Sequence, residues 1–331
     1  MQGTPSTPQQ PLDERRLPLI IQGGMGVGVS GWKLARTVSQ LGQLGVISGT
    51  AVDAVFVRRL QDGDPGGHVR RAIAAFPIRP VADRAIKRFF VEGGIPAGQM
   101  YRALPMYSQV VTLERDQFTM LSAFAEVYLA KEGHSGLVGM NLLTKIQLPN
   151  LALLYGAMLA GVDYILMGAG IPREIPKALD QLSRHEPARL RLDVEDLSLD
   201  RHEYIDFDPQ RHWNGDAPAI RRPRFLPIIA SNSLATLMVR KAEGRVDGFV
   251  IEGPTAGGHN APPRGGGELN ERGEPVYGPR DEVDLSKIAE LGLPFWIAGG
   301  AGWPDRLRTA LRSGAAGIQV GTLFAFCDES G

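Results

Sequence analysis

The chain contains a single cysteine, Cys327, in 331 residues. One thiol excludes an internal disulfide framework and fits a reducing, cytoplasmic compartment. No apolar run is long enough to span a bilayer. The first residues, MQGTPSTPQQPLDERR, lack the apolar core of a secretory leader. Their Pro, Gln, Ser and Thr content predicts a disordered lead-in over residues 1–16. Excess charge is missing as well: 36 Lys and Arg balance 36 Asp and Glu. Nothing therefore favours nucleic acid or an anionic membrane surface as a partner. Histidine is scarce, and His68, His134, His185, His202 and His212 sit in polar context without metal-ligand spacing. They are expected at the surface, with no metal site.

Glycine, by contrast, is abundant, at 41 residues, and 43% of the chain is hydrophobic. That supports one large domain or two modest ones. The glycines fall mostly after apolar runs, where a fold built on strand-to-loop turns needs them. The apolar runs predict eight strands: 17–23, 44–49, 136–143, 163–170, 225–231, 247–253, 294–300 and 317–326. Helical patterns fall between them. GWKLARTVSQLG places Trp32, Leu34, Ala35, Val38 and Leu41 on one stripe, with Ser30 as N-cap. Further helices are expected over 51–62, 67–75, 113–132, 148–161, 171–185 and 233–244, then in DLSKIAELG and PDRLRTALRSG.

Strands and helices in strict alternation imply a parallel sheet, and eight strands close a (β/α)₈ TIM barrel spanning 17–331. Residues 76–110 and 186–223 have no clear period and are expected as excursions from it. Residues 261–282, rich in Gly, Pro and charge, suit a mobile loop over a site. The chain stops at Gly331, just where an eighth helix should begin. The last helix is expected to be absent from this chain, or the closing element to be unusual.

The stretch VDGFVIEGPTAGGHN organises the rest. A buried strand ends at Glu252 and Gly253, Gly257 and Gly258 turn the backbone, and His259 follows at the edge where α/β folds bind ligands. Two further glycine turns, IAGGAG (297–302) and QVGT (319–322), follow the seventh and fall in the eighth predicted strand. In a barrel those loops commonly form a phosphate site, here from the amides of Gly299, Gly300, Gly321 and Thr322 and the Thr322 hydroxyl. GMGVGVSG also contains a literal GxGxxG at Gly26, Gly28 and Gly31, with Asp53 downstream as in a dinucleotide-binding turn. A tight turn without ligand explains the same glycines.

IIQGGMGVGVSG, GPTAGGHNAP, PFWIAGGAG and IQVGTLFAFCDESG together resemble the nitronate monooxygenases, formerly called 2-nitropropane dioxygenases. The resemblance runs from about Leu17 to Gly331 and implies an FMN-dependent oxidoreductase on a TIM barrel. It implies that Gly24, Met25 and Gly26 line the flavin ring and that Asn141 meets the ring or its ribityl chain. Gly257 and Gly258 would admit the flavin tail, and Gly299, Gly300, Gln319, Gly321 and Thr322 would take its phosphate end. His259 matches the presumed general base. Glu252 stands where the family often has Gln, Thr255 where it often has an acid, and Gly24 where proline is common. Lys145, close after Asn141, is read as a solvated helix-end lysine or as a positive charge near the flavin.

The resemblance implies oxidation of alkyl nitronates or nitroalkanes by dioxygen to a carbonyl compound and nitrite, with His259 taking the α-proton. A small-molecule substrate and dioxygen are the expected partners, and a homo-oligomer remains open. His259→Asn is expected to keep FMN and lose turnover of the neutral nitroalkane. The alternatives are an FMN- and NAD(P)H-dependent enoyl reductase, a flavin-binding subunit without turnover, and an NAD-binding dehydrogenase.

Overall fold

The computed structural model describes residues 17–196, 201–257 and 260–331. The expected lead-in, Gly258 and His259 lie outside the described residues. Eight parallel strands form a closed barrel: β1 (Ile20–Gln22), β2 (Leu44–Ser48), β3 (Val138–Leu143), β4 (Tyr164–Gly168), β7 (Arg224–Ile229), β8 (Phe249–Glu252), β9 (Phe295–Ala298) and β10 (Gly317–Val320). Closure runs through β1, whose Ile20, Ile21 and Gln22 register with Ile318, Gln319 and Val320. The eight strands predicted from apolar runs are these eight. The last is shorter than expected, because its second half, Thr322–Phe326, coils into a 3₁₀ turn.

Strand alternation sorts the side chains. Ile21, Val46, Leu166, Leu226, Val250 and Trp296 fill the barrel interior as one cluster. Residues one step away, such as Ile47, Ile165, Ile251 and Ile318, pack outward under the helices. The Trp296 indole N–H donates to the Pro18 carbonyl at 2.7 Å, which satisfies the polar atom of a wholly buried ring. At the N-terminal rim, Asp163 is fully buried and accepts from Lys131, Arg221 and the Val138 amide.

The helices are α1 (Trp32–Gln40), α2 (Val52–Gln61), α3 (His68–Ala75), α4 (Arg79–Phe89), α5 (Leu113–Lys131), α6 (Asn150–Leu159), α7 (Ile175–Ser183), α8 (Asn232–Lys241), α9 (Leu285–Ala289) and α10 (Pro304–Arg312). No helix among the described residues is long and apolar enough to cross a membrane. Ser30 is not the N-cap of α1. Gly31 holds that position without a side-chain bond, and the free Trp32 amide donates instead to the Glu126 carboxylate at 3.0 Å. Leu41 lies past the helix end and is exposed.

Both excursions carry regular structure. Within 76–110 lies α4, which buries Val81, Ala82, Ala85 and Phe89 on one face. The segment was expected to be irregular because charges fill the other face of RPVADRAIKRF. Within 186–223, β5 (Ala188–Leu192) and β6 (Glu203–Phe207) pair antiparallel, with buried and exposed residues alternating along them. His212 follows β6 and is buried, not at the surface: Phe207 stacks on its ring at 4.9 Å.

Candidate active site

Where the strands end, the inward-facing positions stop being bulky and apolar. Gly23, Ser48, Gly168 and Ala298 open space, while Asn141, Glu252 and Gln319 place polar groups around it. Together with Ile228 they are one residue from each barrel strand or the turn that follows it, and they line a cavity of about 750 Å³ at the C-terminal face. A barrel concentrates its chemistry at this face because the βα loops converge there.

All the cofactor residues chosen from the sequence that fall among the described residues line this cavity. The loops that carry them interlock. A β-carbon at Gly24 would stand 2.5 Å from that of Asn141. That crowding gives a steric reason for glycine at this position, where the family resemblance has proline. Gly299 has φ +97°, and a β-carbon there would meet the Ala256 amide nitrogen at 2.9 Å. A β-carbon at Gly257 would lie 3.4 Å from the Thr322 hydroxyl. The turns after β8, β9 and β10 thus form one concave wall of backbone. The Gly300, Gly321 and Thr322 amides have no acceptor among the described residues.

The first loop is held from below. The Ser30 hydroxyl accepts from the Met25 amide at 2.9 Å and from Gln22 Nε2 at 3.0 Å, and donates to the Gly23 carbonyl at 3.1 Å. Gln22 also spans β1 and β2 through both Val46 backbone groups, at 3.0 and 3.1 Å. Gly28, with φ +81°, completes the turn.

Two buried side-chain oxygens at the cavity, Asn141 Oδ1 and Gln319 Oε1, have no hydrogen-bond partner among the described residues. Buried polar atoms are seldom left orphaned, so this pair marks where a ligand would bring donors. Glu252 was noted in the sequence only as a departure from the family pattern, yet it lines the same cavity and has no bonding partner among the described residues. Burial pushes its carboxyl up to about 7. An acid ending a strand beside a glycine turn was the signal for it.

Other sequence candidates lie elsewhere. Asp53 pairs with Arg115 in the interior, so it offers no free carboxylate to a ribose. With the sheet closed into a barrel, GMGVGVSG is a first βα turn and not the dinucleotide-binding turn of an open sheet. Lys145 is exposed and lines a neighbouring chamber, not the mouth cavity. Within the 261–282 loop, Asp281 accepts from the Arg264 amide at 2.7 Å and the Gly278 amide at 2.8 Å.

Residues 222–331, which carry β7 to β10 and the glycine wall, match the family model for nitronate monooxygenase. That match covers the C-terminal part of the chain, and the strands before β7 lie outside it. Among solved structures it is similar to FabK from Thermotoga maritima, with a TM-score of 0.50 and 18% identity over 97% of this chain and 62% of that one. The chain thus spans less than two thirds of that protein, and the likeness is one of fold. A nitroalkane oxidase from Streptomyces ansochromogenes aligns with a TM-score of 0.49 and 15% identity, over 97% of this chain and 69% of that one. No curated protein matches the sequence.

Proposed function

We propose that the chain binds FMN across the barrel mouth and oxidises alkyl nitronates with dioxygen to a carbonyl compound and nitrite. The observation that carries this reading is the pair of orphaned oxygens on Asn141 and Gln319 inside a glycine-walled cavity at the C-terminal face. A flavin ring offers an N–H donor to such oxygens. The wall at Gly299, Gly300, Gly321 and Thr322 suits a phosphate, since the Gly300, Gly321 and Thr322 amides have no acceptor among the described residues and the Thr255 hydroxyl lies beside Gly299 and Gly300. Gly24, Met25 and Gly26 would line the ring. When bound, FMN supplies the redox chemistry between nitronate and dioxygen.

The chain's own residues position substrate and move protons. His259, two residues beyond the cavity-lining Gly257, is the proposed base that takes the α-proton when a neutral nitroalkane arrives. Asn260, the next residue in the chain, donates to the Gly253 and Pro254 carbonyls at 3.3 and 3.0 Å. Glu252, neutral below about pH 7, can donate a proton within the same cavity.

The test is anaerobic mixing of FMN-loaded protein with an alkyl nitronate and, separately, with NADPH. Flavin bleaching by nitronate alone is expected. Bleaching by NADPH alone would replace this reading with an enoyl reductase, and inertness to both would leave a flavin-binding subunit. His259→Asn should retain FMN and turn over the nitronate but not the neutral nitroalkane.

A further inference from the structure

Two further cavities lie beside the mouth cavity, each sharing lining residues with the next. The mouth cavity shares the lining residues Thr50 and Leu143 with a smaller cavity of about 220 Å³, termed the passage for the role proposed below. That passage shares Tyr107, Ile146, Pro149 and the Asp53–Arg115 pair with a chamber of about 670 Å³. The chamber lies between α2, the segment 101–107 and the turn 145–149 that follows β3. Its inner wall is largely apolar, with Val57, Leu104, Ile146, Leu148 and Leu192. Its outer rim is cationic, with Arg58, Arg102 and Lys145 all exposed.

The charge at the rim is not balanced from within. Asp53 is the one acid on the chamber wall among the described residues, and it is committed to Arg115. Arg115 is itself fully engaged: it donates to the Pro105 carbonyl at 2.9 Å and to the Thr119 hydroxyl at 2.8 Å, and lies 3.7 Å from the centre of the Tyr107 ring. Arg58 lies over the Tyr101 ring, and Arg102 donates to the Arg88 carbonyl. Neither of these cations, nor Lys145, has a carboxylate partner among the described residues. An apolar chamber with a cationic rim is complementary to an aliphatic chain that ends in an anion.

We propose that the chamber is a subsite for the aliphatic chain of a carboxylate-bearing substrate, with the carboxylate at Arg58 and Lys145 and the reacting carbon in the mouth cavity. The span is modest. Asn141 in the mouth and Lys145 on the rim are four residues apart, which bounds their Cα separation at roughly 14 Å. The substrate class follows as a medium-chain amphipathic carboxylate functionalised away from its acid end. For the reaction this rests on the nitronate reading above; for the binding it does not.

The probe is decanoate, titrated calorimetrically into the purified chain with and without FMN, with decylamine as the opposite-charge control. Saturable binding of decanoate that weakens with salt is expected, and none of decylamine. Ile146→Trp, at a partly exposed position on the wall of both chamber and passage, should weaken decanoate about tenfold or more. It should leave FMN uptake unchanged. Lys145→Glu, at the exposed rim, should also weaken decanoate and reduce the salt dependence, which keeps the test decisive should the tryptophan variant misfold. Decanoate binding that is absent, indifferent to both substitutions or matched by decylamine would overturn the subsite. A chain that takes up no flavin yet binds decanoate through Ile146 and Lys145 would overturn the FMN reading alone.

Discussion

Gly24 and Asn141 are packed so closely that a β-carbon at position 24 would lie 2.5 Å from the β-carbon of Asn141. The first βα loop therefore rests directly on a side chain that lines the mouth cavity and carries a buried oxygen without a hydrogen-bond partner among the described residues. Gly24→Ala must displace one or the other. The expected outcome is a loss of FMN affinity of about tenfold or more, with an overpacking cost of about 1–3 kcal/mol in stability. Flavin fluorescence titration and urea unfolding separate the two effects. An unchanged FMN affinity would remove Asn141 from the flavin site.

Glu252 makes the site sensitive to pH. Burial raises its carboxyl to about 7 from the ordinary 4.5, so the folded state favours the neutral acid. Its stabilising balance is greatest below about pH 4.5, falls as pH rises through 7 and stays lost above that. Glu252→Gln should therefore stabilise the protein at pH 8 relative to pH 5, by on the order of 1 kcal/mol given partial solvation of the group. The kcat/KM profile of the wild type should bend near pH 7, and that bend should vanish in the variant. Thermal melts at the two pH values and a pH–rate series check both parts.

His212 acts in the opposite direction and away from the site. Burial, with Arg211 nearby, lowers its imidazole to about 4. The unfolded chain, titrating near 6.5, binds the proton first, so this group's contribution to stability is lost as pH falls from 6.5 towards 4. His212→Phe should flatten that acid loss by roughly 2 kcal/mol. Denaturant unfolding of wild type and variant between pH 7 and pH 4 measures it. FMN affinity at pH 7 should not change.

The barrel was legible because each strand is a compact apolar run that ends in a glycine or polar turn, as at Phe249–Glu252 and Phe295–Ala298. Buried parallel strands write their burial into consecutive residues. The glycine turns around Gly24, Gly257, Gly299 and Gly321 were legible for a related reason, since backbone meets backbone there. What escaped depended on contacts distant in sequence. The apolar face of α4 is hidden among charges in RPVADRAIKRF and becomes clear only once it packs against its neighbours. His212 reads as polar surface until Phe207 covers it. The side chamber is assembled from α2, the 101–107 segment and the turn after β3, none of which marks a cavity alone. Glu252 was visible as a residue, but its importance comes from the side chains it faces across the barrel mouth.

The most direct measurement is the visible absorption spectrum of the purified chain after incubation with FMN and removal of free flavin by gel filtration. Binding at the mouth predicts retained flavin bands at about one FMN per chain, reduced in Gly24→Ala. A colourless protein that takes up no FMN would contradict the flavin site and the nitronate chemistry proposed for it.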